Sequence, residues 1–117
     1  MAVDVCVKRI YDAPDSSDGY RVLVDRVWPR GMSRERAGLD EWARELAPSD
    51  ELRRWFAHDR ARFDEFRGRY RDELAEHRDH LLRLTRRATR GRVTILFAAR
   101  DRQHNNAVVL AELLRDG

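Results

Sequence analysis

Two short stretches of this chain gather the residue types that bind and move charge. The first, DRVWPRG, supplies Asp25, Arg26, Trp28, Arg30 and Gly31; the second, ARDRQHNN, supplies Arg100, Asp101, His104, Asn105 and Asn106. Arg9 and Tyr11 form a smaller third group. A guanidinium is a planar fork of donors that meets carboxylate or phosphate oxygens in bidentate pairs. Arg9, Arg26, Arg30 and Arg100 together therefore predict an anionic small-molecule guest, with Arg26 and Arg30 as its clamp. If the site is catalytic, Asp25 or Asp101 is the candidate general base. His104 is then the candidate proton shuttle, since imidazole changes charge nearest neutral pH. Asp101 also suits an orienting role, as a charged carboxylate directing a guanidinium toward the ligand. Trp28, Asn105 and Asn106 complete the expected ligand-binding set.

Each of these residues also has a purely structural reading, and the residues alone leave both open. Asp25 and Arg26 could pair with Arg100 and Asp101, Trp28-Pro29 could plug a core edge, and Asn105 could simply cap a helix. Other signals are weaker. His77 and His80 stand at i, i+3 with no third ligand nearby in sequence, so no metal site is expected. Cys6 lies mid-strand without a paired His and reads as an inert thiol. No Walker loop, GxGxxG or GxSxG turn occurs, and no cofactor is expected. The arginines from Arg83 to Arg92 could touch phosphate backbones, but no aromatics are interleaved with them.

The elements around these residues follow from periodicity. Val3 to Ile10 alternates apolar and polar residues as a half-buried strand does. Tyr11 to Gly19 is rich in turn formers, and Tyr20 to Val27 reads as a second strand that stops at Pro29. Ser33 and Ser49 are helix starts. His58-Asp59 breaks the helix after Ser49. Phe63, Phe66, Tyr70 and Leu74 share one helical stripe, and Leu81, Leu82 and Leu84 form a further cluster that Gly91 ends. Val93 to Ala99 is a continuous apolar run, the signature of a central strand buried on both faces. Ala107, Leu110, Leu113 and Leu114 mark a closing helix. The expected architecture is α/β: a short, mostly parallel sheet of three main strands flanked by helices, in a flavodoxin- or Rossmann-like three-layer arrangement. DRVWPRG, ARDRQHNN and the Arg9 group each follow a predicted strand, at the carboxyl edge where such sheets bind ligands.

Composition bounds the rest. The 117 residues fit one domain, 1–117, and a 42% hydrophobic share supplies a core. Charged residues make up 38%, with 24 Lys and Arg against 21 Asp and Glu, so the formal net charge is only +3. The pI of about 9.6 reflects arginine, which keeps its proton near neutrality; Lys8 is the sole lysine. Nucleic acid is accordingly not the expected partner. A single cysteine, no secretion signal and no apolar run long enough to span a bilayer predict a cytoplasmic chain without membrane association.

VKRIYDAP, DGYRVLVDRVWPRGMS, APSDELRRWFAHD and ILFAARDRQHNNAVVL together resemble the YeaO-like proteins of domain-of-unknown-function family 488, from about Val7 to Leu114. The resemblance implies that the first two strands are parallel, with YDAPDSSDG as a shortened crossover where longer relatives carry a helix. It includes the residues matching Arg9, Asp25, Arg26, Trp28, Arg30, Asp101 and Asn106, and implies no assigned role for them. Longer relatives tend to have a Cys-His pair where this chain has His104-Asn105, so nucleophilic cysteine chemistry is not expected there. Three functions compete: an anion site at the sheet edge, a nucleic-acid-binding module using the arginine surface, and a protein-interaction domain with Trp28 and Arg30 as hot spots.

Overall fold

The apolar run at the end of the chain builds the centre of the molecule. In a computed structural model describing residues 2–116, it becomes a strand from Val93 to Phe97 in which all five residues are buried. Three more strands join it: β1 (Val5–Arg9), β2 (Tyr20–Leu23) and β3 (Glu41–Trp42). With Val93–Phe97 as β4, the order is β1-β4-β2-β3 and every neighbouring pair is parallel. Val5 to Arg9 face Val93 to Phe97, and Tyr20 to Leu23 face Val93 to Leu96. The first two strands are thus parallel, but β4 lies between them. β2 is also shorter than the apolar pattern from Tyr20 to Val27 implied, because its ladder stops at Leu23 and the DRVW segment turns away. β3 adds a strand of only two residues, too short to show a period of two.

The described residues also form five α-helices: α1 (Arg34–Ala37), α2 (Asp50–Phe56), α3 (Phe63–Leu74), α4 (Arg78–Ala88) and α5 (Asn106–Asp116). Ser33 and Ser49 cap α1 and α2 by accepting from the amides of Arg36 and Leu52. All four residues of the aromatic stripe on α3 are buried. On α4 only Leu84 of the leucine cluster is buried, Leu82 is exposed, and Thr89, ahead of Gly91, is the C-cap.

The sheet's alternation divides the core. Val93, Ile95 and Phe97 pack with α2, α3, α4 and α5 on one face. Leu23 and Leu96 meet Ile10, Met32 and Ala37 on the other, where α1 and the flanking loops form a thinner cover. Gly19 is required by geometry: its φ is +66°, and a Cβ there would lie 2.2 Å from the Arg92 carbonyl oxygen. That carbonyl accepts the Tyr20 amide at the start of β2. No helix among the described residues is long and apolar enough to cross a membrane.

Candidate functional site

Parallel strands deliver their carboxyl ends to one edge, and the loops leaving β1, β2 and β4 surround a cleft of about 1020 Å³ there. Arg9, Asp25, Arg26, Trp28, Arg30, Arg100, Asp101, Asn105 and Asn106 all line it. His104 does not. The edge follows from the register, since Arg9 lies opposite Phe97 and Leu23 opposite Leu96.

Asp25 and Asn106 join the loops. The Asp25 carboxylate accepts the Ala98 amide at 2.9 Å and the Asn106 side-chain amide at 3.2 Å. Asn106 also donates to the Val24 carbonyl at 2.8 Å. The end of β2 is thereby held to the end of β4 and the start of α5. Burial pushes the Asp25 carboxyl above the usual carboxylate range, outweighing the two hydrogen bonds that favour its charged form. Neither Asp25 nor Arg26 pairs with Arg100 or Asp101.

The arginines differ in how firmly they are held. Arg9 donates from Nε to the Ala99 carbonyl at 3.0 Å and lies over the Tyr11 ring. Arg26 is 3.8 Å from the Asp50 carboxylate and reaches the Pro48 carbonyl at 3.5 Å; its buried Nε has no hydrogen-bond acceptor. Arg30 and Arg100 are exposed, and among the described residues neither guanidinium has a carboxylate within ion-pair distance. The Arg30 backbone is fixed all the same, because its carbonyl accepts the Tyr11 hydroxyl at 2.7 Å. Trp28 is half-buried, donates to the Met32 carbonyl at 2.6 Å and meets Trp42 edge to face.

Asp101 serves its own loop. It accepts the amides of Gln103 and His104 at 2.9 and 3.0 Å and pairs with Arg60 at 3.0 Å. The Gln103 amide leads the causes that hold its carboxyl well below the usual range, with His104 and Arg60 contributing. The guanidinium that it orients is therefore that of Arg60, which does not line the cleft. His104 lies against Asp101 at 3.1 Å and edge-on to Phe63, an arrangement that holds the loop; its ring does not line the cleft but touches Asp101, which does. Asn105 is buried and caps α5 by accepting the Val108 amide at 3.0 Å.

Cleft residues from the middle of the chain that carried no site signal in the sequence are Ala47, Pro48, Arg53, Phe56, His58 and Phe66. Ala57 and His58 both have positive φ, 46° and 57°, a conformation rare for residues other than glycine. The only sequence signal was the helix break at His58-Asp59. His80 does find acidic company: its Nε2 is 2.6 Å from Glu41 and its Nδ1 is 3.0 Å from Glu45. One ligand atom from each of Glu41, Glu45 and His80 lies within 4.8 Å of the other two, so the fold gives His80 acidic neighbours that the spacing of His77 and His80 did not show.

Residues 4–117 match a family model described as "Inactive DUF488-N3 subclade". The chain is similar to the uncharacterized protein YeaO of Escherichia coli (strain K12), with 42% identity over 113 residues, 97% of this chain and 98% of that one. It is also 44% identical over 111 residues to the uncharacterized protein Rv3073c of Mycobacterium tuberculosis, covering 94% of this chain and 92% of the relative. No solved structure gives a significant match.

Proposed function

This chain belongs to the DUF488 family, and from that premise we propose that it is a cytoplasmic protein that binds a small phosphate- or carboxylate-bearing anion at the carboxyl edge of its sheet without transforming it. The observation that carries this reading is the pair Arg30 and Arg100, two guanidinium groups on a concave site that, among the described residues, have no carboxylate within ion-pair distance. Arg26, partly exposed on the same cleft and 3.8 Å from Asp50, adds a third guanidinium. The cleft is of the size usual for small-molecule sites. Binding is favoured over catalysis because the matched family model is described as inactive, because both Asp25 oxygens accept hydrogen bonds from the protein, and because His104 stands outside the cleft. The half-buried, hydrogen-bonded Trp28 weighs against a protein interface centred on that ring.

The test is calorimetric titration of the protein with inorganic phosphate, pyrophosphate and citrate. At least one should bind, and Arg30→Ala should weaken it by roughly 10- to 100-fold, the size of a lost charge-assisted hydrogen bond. The melting temperature of the variant should stay within about 2 °C of the parent, since exposed loop side chains rarely carry the core. An absence of heat with all three anions, or an Arg30→Ala variant that binds as the parent does, defeats the reading.

A further inference from the structure

A second basic concavity lies at the opposite edge of the sheet, outside the site proposed above. Gly19 and Tyr20 at the start of β2 and Gly91 and Arg92 just before β4 form its floor, and α4 forms its wall. Its volume is about 480 Å³. Arg83, Arg86 and Arg87 reach it from one side of α4 because they recur at i, i+3 and i+4, and Arg90 joins them from the turn just past the helix end at Ala88. Arg92 is paired with Asp4 at 3.2 Å, Arg83 lies 3.8 Å from Glu41, and Arg87 lies 3.9 Å over the Tyr20 ring. Among the described residues, Arg86 and Arg90 have no carboxylate within ion-pair distance. The helix dipole accounts for cations near the end of α4, but not for five arginines around a hollow with no acid in its lining.

We propose that this concavity binds single-stranded nucleic acid through its phosphodiester backbone. Three features support that partner. The lining holds no Asn, Gln, Ser, Thr, Asp or Glu side chain, so its hydrogen-bonding capacity is almost entirely guanidinium, which suits a run of phosphates better than a defined set of base edges. It contains one aromatic ring, Tyr20, from a strand far away in sequence, and Arg87 stacks on that ring, which steadies a guanidinium in the hollow; a groove of cations held in this way tracks a phosphodiester backbone without regard to sequence. The surface is concave, which accepts a projecting chain and not the plane of a bilayer. The net charge of +3 hides this patch because it averages the arginines with acids elsewhere on the molecule.

The experiment is fluorescence anisotropy with a labelled oligothymidylate of about 20 nucleotides, titrated with the full chain at several sodium chloride concentrations. The parent should bind, with affinity falling steeply as salt rises, because each phosphate contact on a single strand contributes a slope of about −0.7. Replacing three exposed arginines together, Arg83→Gln, Arg86→Gln and Arg90→Gln, should flatten the slope by about 2 and weaken low-salt binding at least tenfold; circular dichroism of the variant should match the parent. Arg36→Gln, an exposed arginine on α1 that lines neither hollow, should bind the oligonucleotide as the parent does. No binding at 50 mM salt, a triple variant with the parent's slope, or loss of binding in Arg36→Gln would each overturn the proposal. So would poly-glutamate binding as tightly as the oligonucleotide, which would assign the surface to an acidic protein instead.

Discussion

Asp25 shows how one residue can hold a site together and still be poorly suited to its own charge. Its oxygens accept from Ala98 and Asn106, and its carbonyl accepts the Trp42 indole at 2.7 Å, yet burial raises its pKa above 3.8. A carboxyl whose folded pKa is raised holds its proton in the native state over a range where the unfolded chain has already lost it. Stability from this group is therefore present at low pH and is lost as pH rises from about 4 through the raised value. Asp25→Asn removes the titration and keeps an oxygen for the Ala98 amide. The melting temperature of the variant minus that of the parent should become more positive between about pH 4 and pH 7. A difference that stays flat or falls over that range would show that the buried charge is fully compensated. Asp101 has the opposite character, with a carboxyl held ionised by its own loop, and Asn should replace it there as a turn former.

At the scale of elements, the connection between β1 and β2 has to return the chain across β4 with very few residues. It manages this with one 3-10 turn, Ser16–Asp18, capped by Asp15. Asp18 anchors the turn from inside: its carboxylate accepts from Lys8 on β1 and Arg21 on β2, and its carbonyl accepts the Thr94 hydroxyl on β4. Arg21 continues the network to the carbonyls of Ala37 and Gly38 at the end of α1. Burial works against the charge of Asp18, but hydrogen bonds from the Asp15 amide, Lys8 and Arg21 prevail and hold its pKa below 3.8. This contribution is complete above about pH 4 and is lost as pH falls through the depressed value. Asp18→Asn leaves Arg21 buried without its carboxylate and should cost about 3 kcal/mol at pH 7 in urea denaturation. A loss below about 1 kcal/mol would mean that the backbone carbonyls alone satisfy Arg21.

Over the whole molecule, the parallel sheet separates two arginine-lined hollows. One gathers at the carboxyl ends of the strands and the other at their amino ends, about 16 Å apart along a five-residue strand. Neither shares a lining residue with the other, so substitutions in the two should act independently. Arg30→Ala combined with the replacements at Arg83, Arg86 and Arg90 should bind the oligonucleotide within about twofold of the triple variant, and the preferred anion within about twofold of Arg30→Ala alone. A larger departure in either titration would reveal coupling through the sheet.

Much of this architecture was legible in the chain because it depends on neighbours a few residues apart. The apolar run at Val93–Phe97, the stripe Phe63, Phe66, Tyr70 and Leu74, the caps Ser33, Ser49 and Asn105, and the placing of DRVWPRG and ARDRQHNN after strands all express local spacing and local hydrogen bonding. Tertiary structure decided what spacing does not encode. It set β4 between β1 and β2, made a strand of Glu41–Trp42, matched Asp101 to Arg60 and His104 to Phe63, and carried Arg53 and His58 into the cleft. It also set Tyr20 under Arg87. Each of those outcomes depends on residues distant in sequence meeting in space, where burial and ladder pairing choose the partners and no local pattern records the choice.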